Sequence, residues 1–165
     1  PTQNLVHSDE FVAMLLEYPS MVAWVNGHTH INTITAHSRP GGGGFWEITT
    51  ASCVDYPQQQ QVIEIVDNRD STLSIFTTVV DHDSTAQWSQ GDYSQAGLAS
   101  LSRQLAANAW QFEPLPRQGS VLDRNCELLL PAPFELATIT DAQLERERVI
   151  ARGRLLAGDV TGQLP

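Results

Sequence analysis

The chain has 165 residues, of which 41% are hydrophobic and 17% are charged, so it is long and apolar enough to bury the core of one domain. Its formal net charge is −10, and all nine basic residues are Arg, which argues against a nucleic-acid-binding groove and against attachment to an anionic membrane surface. No apolar run approaches the length of a membrane span. The negative charge does not exclude an enzyme that acts on phosphate esters, because bound divalent metals can supply local positive charge.

The first predicted elements are a helix and a short strand. Residues 8–18 place apolar side chains at helical spacing, and Pro19 ends the pattern. Residues 21–25 then form a continuous apolar run, which is typical of a strand buried on both faces. This run leads directly into Gly27-His28-Thr29-His30, so we expect both histidines at the carboxyl end of a buried strand, where α/β folds collect ligands.

The central part of the chain predicts a loop followed by three strands. The loop after the histidines ends in Pro40 and four glycines, which indicate either a flexible connection or a mobile flap. Strands are expected at 45–52, 61–67 and 72–81. The last two are separated by four turn-forming residues and should pair as an antiparallel hairpin.

The remaining segments predict two helices and one short strand. Residues 82–93 are polar, 94–110 have helical periodicity, 127–130 form a short strand pattern, and 141–156 are helical with mixed Glu and Arg. The two cysteines, Cys53 and Cys126, match no metal-binding spacing and are interpreted as small buried residues.

His28 and His30 are the candidate metal ligands. A regular strand would point them to opposite sides, but at a strand end the chain turns, and both imidazoles can then face one cluster. Neutral imidazole suits Zn, Fe, Ni and also Mn in mixed oxygen and nitrogen sites. The alternative that the motif alone leaves open is a pair of surface or hydrogen-bonded histidines.

Beyond the motif, two longer segments resemble the end of a calcineurin-like metallophosphoesterase, within a bacterial branch of that superfamily. They are YPSMVAWVNGHTHINTI and GGGGFWEITTASCVDYPQQQQVIEIVDN. Gly27 to His30 match the superfamily's last Gly-His-x-His signature, and the resemblance runs from about residue 9 to residue 130. It implies an α/β fold with mostly antiparallel strands here, as part of a four-layer α-β-β-α sandwich. Residues 1–130 would then be the C-terminal part of the phosphoesterase domain and residues 131–165 a helical extension.

The resemblance also implies a function. The parent protein is expected to hydrolyse phosphate esters with two divalent metal ions (Mn, Fe or Zn), His28 binding one metal and His30 the other. The superfamily's earlier signatures, Asp-x-His, Gly-Asp-x-x-Asp and Gly-Asn-His-Asp/Glu, are absent from the sequence. Since two imidazoles do not hold a binuclear centre, and residue 1 is Pro rather than Met, we expect the other ligands in a missing N-terminal part and expect this chain alone to be inactive.

Other polar residues receive simpler interpretations. His7 is read as a helix-flanking surface residue, His37 as solvent-exposed, and Asp81-His82-Asp83 as a solvated turn. Asn32 either stabilises the loop or donates to a phosphate oxygen.

Two other functions were weighed. An amidohydrolase also uses a His-x-His pair, but its barrel needs a long run of βα units, and antiparallel strands follow here instead. A non-catalytic interaction or structural domain with incidental histidines is the alternative. The substrate, the metal and the location, cytoplasmic or exported, stay open.

Overall fold

A computed structural model describes residues 8–108 and 115–156 of the chain. The strands are β1 (Ala23–Asn26), β2 (Thr33–Ser38), β3 (Gly44–Thr49), β4 (Gln60–Asp67), β5 (Thr72–Val80) and β6 (Cys126–Pro131). The helices are α1 (Ser8–Leu16), α2 (Gln95–Ala107) and α3 (Asp141–Leu156), with short 3₁₀ helices at Leu115–Gln118, Val121–Asp123 and Leu136–Thr138. The described part is thus mixed α/β, with three helices and two small, mostly antiparallel sheets, as the sequence predicted at this coarse level.

The first sheet has the strand order β1-β3-β2. Strand β1 pairs parallel to β3, with Ala23 opposite Trp46, and β2 pairs antiparallel to β3. Because side chains alternate along a strand, Trp24 and Trp46 lie on opposite faces of this sheet. Trp24 contacts Phe11 of α1 edge to face, with ring centroids 5.0 Å apart, so α1 lies against one face.

The second sheet has the order β4-β5-β6 and is antiparallel throughout. The predicted hairpin of residues 61–67 and 72–81 is confirmed as β4 and β5. The other face of the first sheet meets this second sheet, where Trp46 Nε1 donates to the Leu129 carbonyl at 3.3 Å. Apolar side chains from both sheets, with one from the loop after β3, make up the core: Phe45, Ile48, Ala51, Leu73, Ile75, Leu128 and Leu130.

Two predictions about the region around the histidines are wrong. The stretch between the histidines and the glycines is not a loop throughout, since residues 33–38 form β2 and the glycines form the turn into β3. Strand β1 is not buried on both faces, because the Val25 side chain is 51% exposed. The cysteines also differ from expectation: Cys53 is exposed, Cys126 is half-buried, and both are free thiols.

Arg39 fixes the entry to the first sheet. Its guanidinium donates to the carbonyls of Leu16 at 2.8 Å and Tyr18 at 2.6 Å, and also to those of Met21 and Gly44. The carbonyls at a helix end lack partners within the helix and attract a cation. Arg39 therefore ties the end of α1 to the turn between β2 and β3, and its bond to the Met21 carbonyl positions the start of β1.

The chain divides into two units, Pro1–Pro133 and Phe134–Pro165. The second unit consists, in its described part, of the 3₁₀ helix Leu136–Thr138 and α3. The assignment of residues 1–130 and 131–165 to functional parts stays a prediction. Of the helices that the structure describes, none is both long enough and apolar enough to span a membrane.

Candidate metal centre

The histidine motif forms a tight turn directly after β1. The His30 amide donates to the Gly27 carbonyl at 3.2 Å, and His28 and Thr29 at the tip are exposed. His30 itself has φ +57°, in the left-handed region that a non-glycine residue adopts at a cost. Such backbone strain is often found where a side chain must point in a particular direction, which here is the direction of the His30 imidazole.

A second loop, residues 50–59, follows β3. The Ser52 hydroxyl accepts hydrogen bonds from the amides of Val54 at 3.0 Å and Asp55 at 3.1 Å, and the Asp55 carbonyl accepts from the Gln58 amide at 2.8 Å. These bonds close the loop on itself around Asp55. The carboxylate of Asp55 is therefore held on a fixed backbone rather than on a free loop.

A hydrogen bond between His30 Nδ1 and Asp55 Oδ2, at 2.5 Å, joins the histidine turn to this second loop. An ionised carboxylate can only accept, so Nδ1 carries the proton, and in the neutral form of the ring Nε2 then keeps its lone pair. The side chains are 37% and 33% exposed, respectively. An imidazole held through Nδ1 by a carboxylate, with Nε2 free, is the usual arrangement of a metal-binding histidine.

Strand order explains why these residues meet although 25 positions separate them. Strands β1 and β3 are parallel neighbours, so their carboxyl ends lie at the same edge of the sheet. The loops that follow both strands start from that edge, where ligand sites of parallel sheets form. The Thr50 amide donates to the Asn26 carbonyl at 2.8 Å and holds the two loop entrances together.

Asn32 is the buried link beneath the two loops, with 2% exposure. Its Oδ1 accepts from the Ala51 amide at 2.8 Å, and its Nδ2 donates to Gln59 Oε1 and to the Gln118 carbonyl, both at 3.3 Å. Both ends of the amide are thus occupied. Of the two interpretations of Asn32, the structure supports the loop-stabilising one.

The polar contacts continue from Asn32 towards α2. Gln59 Nε2 donates to Asp81 at 3.0 Å, and Arg103 of α2 forms an ion pair with the same carboxylate. Partial burial raises the pKa of Asp81, but the hydrogen bonds from Gln59 and Arg103 and the charge of Arg103 outweigh it and hold the pKa below its ordinary value.

The interpretation of residues 81–83 as a solvated turn fits Asp81 and Asp83, which are exposed, although the Asp81 carboxylate is also held by Gln59 and Arg103. It is wrong for His82, whose ring nitrogens are both buried, with no hydrogen-bond partner in the described residues. The ion pair of Asp81 was not predicted from the sequence, where the available signal was Arg103, the only basic residue of α2.

Residues 117–123, which precede β6, also hold the histidine loop and the start of β2 in place. The Arg117 carbonyl accepts from the Asn32 amide at 3.0 Å, and Asp123 Oδ1 accepts from the Ile34 amide at 2.9 Å. Burial raises the pKa of Asp123, but hydrogen bonds from Ser120 and the Ile34 amide outweigh it, so that the pKa is lowered. Gly119 lies between Arg117 and Asp123 in the sequence and has φ +69°, and a Cβ added there would lie 2.3 Å from the Asn32 carbonyl oxygen.

His37 is not the solvent-exposed loop residue that the sequence suggested. It lies on β2, its side chain is 18% exposed, its ring stacks on Phe45, and its Nε2 bonds Glu47 at 2.8 Å. Glu47 also accepts from Asn26 Nδ2 at 3.0 Å, so this pair belongs to a polar row across the first sheet. His7 lies outside the described residues.

The described residues contain no group of three or more His, Cys, Asp or Glu side chains arranged to hold a metal ion. His28 and the free nitrogen of His30 are the available imidazole ligands of the two loops. The Asp55 carboxylate accepts the hydrogen bond from His30 Nδ1. No family model, curated protein or solved structure matches the chain.

Proposed function

We propose that this chain is the C-terminal part of the catalytic domain of a metal-dependent phosphoesterase, to which it contributes His28 and His30 as ligands of two divalent metal ions. The observation that carries the proposal is the hydrogen bond between His30 Nδ1 and Asp55, at the shared carboxyl ends of two parallel strands. It leaves Nε2 of a strained, half-exposed histidine free to bind a metal.

The donor set fits a part of such a centre. Two neutral imidazoles suit Zn, Fe or Mn, but they bring no negative charge, so carboxylate ligands must come from elsewhere. When bound, a divalent cation supplies Lewis acidity towards a phosphoryl oxygen and makes water a better nucleophile. In this proposal, Asp55 orients His30, and the network around Asn32 keeps the two loops at a fixed separation.

The proposed architecture is part of a four-layer α-β-β-α sandwich. Supporting this, α1 contacts Trp24 on one face of the first sheet, while Trp46 on the opposite face bonds Leu129 of the second sheet. The layers thus follow one another as helix, sheet and sheet. A further helical layer would complete the stack.

Hydrolysis by the chain and by a longer polypeptide tests the function. We expect the 165-residue chain with added Mn²⁺ not to hydrolyse bis(p-nitrophenyl) phosphate, and the protein extended upstream of Pro1 through its own coding sequence to hydrolyse it. In the extended protein, His30→Ala should remove activity, whereas His37→Ala, which loses a carboxylate-paired histidine on β2, should keep it. An extended protein without activity, or one that His30→Ala leaves active, would contradict the proposal, and a non-catalytic domain would then be favoured.

A further inference from the structure

Helix α2 turns its small and polar residues towards the rest of the protein. Ser100 is 1% exposed, and Gly97 lies so close to the Asp92 side chain that a Cβ added there would overlap the carboxylate. Arg103, the only charged residue of the helix, forms its ion pair with Asp81 on this inner side. The side of α2 that is packed against its neighbours is therefore not its apolar side.

The outer side of α2 carries the leucines. Leu98 and Leu105 are 46% and 65% exposed, and Leu101, on the same side, is partly buried. The three residues are spaced by three and four positions, which is the spacing at which one helix packs along another. A surface helix ordinarily buries its apolar stripe and exposes its polar side. An apolar stripe that is exposed instead, as here in the part of the chain that the structure describes, is typical of an interaction surface.

The leucine stripe suits a second copy of the chain because it is uncharged and self-complementary. The chain has a formal net charge of −10, so an acidic surface would repel a copy of itself. The outer side of α2 escapes this repulsion, since Gln95 and Ser102 beside the leucines are neutral. In an antiparallel helix pair with twofold symmetry, Leu98 of each copy would lie against Leu105 of the other.

We infer that the outer side of α2 binds α2 of a second copy in an antiparallel arrangement. The rim of this interface includes the loop after β3, because Gln58 Nε2 donates to the Val54 carbonyl at 3.0 Å and to Ser102 Oγ at 2.9 Å. Val54 and Tyr93, which lies just before the helix, are each 76% exposed and extend the apolar area. The dimer would lie beside the loop that holds Asp55, and it is independent of the proposed metal ligands.

Sedimentation equilibrium of the 165-residue chain tests the inference. With rising concentration the mass should increase from 18.2 kDa towards twice that value, and added salt should strengthen the association because it screens the charge of the two copies. Leu98→Glu should weaken the dimer by about 100-fold or more, since it places an unpaired carboxylate in an apolar contact. Leu144→Glu, at a 58% exposed leucine of α3, is the control and should leave the dimer unchanged. A chain that stays monomeric at every concentration, or a dimer that Leu98→Glu leaves intact, would overturn the inference.

Disulfide cross-linking tests the direction of the helix pair. Cys53→Ser and Cys126→Ser first remove the two free thiols. In this background, the double variant Leu98→Cys/Leu105→Cys should form a covalent dimer on oxidation, whereas Leu98→Cys alone should not. In the antiparallel pair, the two copies of residue 98 would lie about 10 Å apart along the helix axis, which is beyond the reach of a disulfide. Cross-linking by the single variant, or none by the double variant, would count against the arrangement and overturn the inference.

The protein extended upstream of Pro1 distinguishes a second copy from an upstream segment as the occupant of the stripe. The double variant should cross-link in the extended protein too, and adding His30→Ala should not change the yield. An extended protein that stays monomeric and does not cross-link would show that an upstream segment covers α2, and the inference would fail. Dimerisation and hydrolysis are measured separately, so either proposal can fail while the other stands.

Discussion

Replacing Gly44 with alanine should lower the free energy of unfolding by about 4 kcal/mol. Gly44 has φ +153°, which strains any residue with a Cβ and costs on the order of 2 kcal/mol. The added Cβ would also lie 1.9 Å from the His37 carbonyl oxygen and 3.1 Å from Ser38 Cα. Both are backbone atoms of the paired strand β2, so relief requires that the hairpin shift, at a further cost of about 2 kcal/mol.

Gly42→Ala is the matched control in the same glycine run. Gly42 has φ +110°, but an added Cβ would meet nothing within 4 Å, so we expect a loss of only about 1 to 2 kcal/mol. Chemical denaturation of both variants gives the comparison. Equal destabilisation by the two substitutions would mean that β2 does not pair with β3 as described.

Asn32→Ala should cost about 3 kcal/mol of unfolding free energy. The substitution leaves the buried Ala51 amide without its acceptor and leaves Gln59 Oε1 and the Gln118 carbonyl without their donor. Each buried group that loses its partner costs on the order of 1 to 3 kcal/mol, with partial relief where the structure can relax. Because Asn32 joins the segments that carry His30 and Asp55, the variant should also weaken the hydrogen bond between His30 and Asp55.

Asn68→Ala is the control for a surface asparagine. Asn68 also makes side-chain hydrogen bonds, to Thr72 at 3.0 Å and Ser74 at 2.8 Å, but it is exposed in the β4–β5 turn. Its loss should cost less than about 1 kcal/mol, because water replaces the bonds. If thermal denaturation ranked the two variants in the opposite order, Asn32 would not be the buried link between the loops.

Local patterns predicted most of the regular structure. The β4–β5 hairpin follows from two β-branched segments around a turn, and the helix at 141–156 is found with the predicted bounds as α3. The helix predicted at 94–110 is α2, whose described end is Ala107, and residues 109 and 110 lie outside the described residues. Strand β2 was missed, although Thr33, Ile34 and Thr35 favour a strand, because it is short and lies between a turn and a glycine run.

The candidate site was predicted only in part. The position of the histidines after a strand follows from the order of elements along the chain, and the structure places them there. The residues that contact the histidine loop were not predictable from the sequence. Asp55 reaches His30 only because β1 pairs parallel to β3, and Gln118 reaches Asn32 only because residues 115–123 fold back beside this loop. Such long-range contacts depend on strand order, which the local pattern does not encode.

The state of the His30 ring tests the central claim most directly. Long-range ¹H–¹⁵N correlation spectra of the labelled chain report which ring nitrogen is protonated, and zinc can then be added. We predict that His30 carries its proton on Nδ1, that zinc shifts His30 Nε2 and His28, and that His37, paired with Glu47, does not respond. A His30 protonated on Nε2, or spectra in which zinc leaves His28 and His30 unchanged, would contradict the assignment of these histidines as metal ligands.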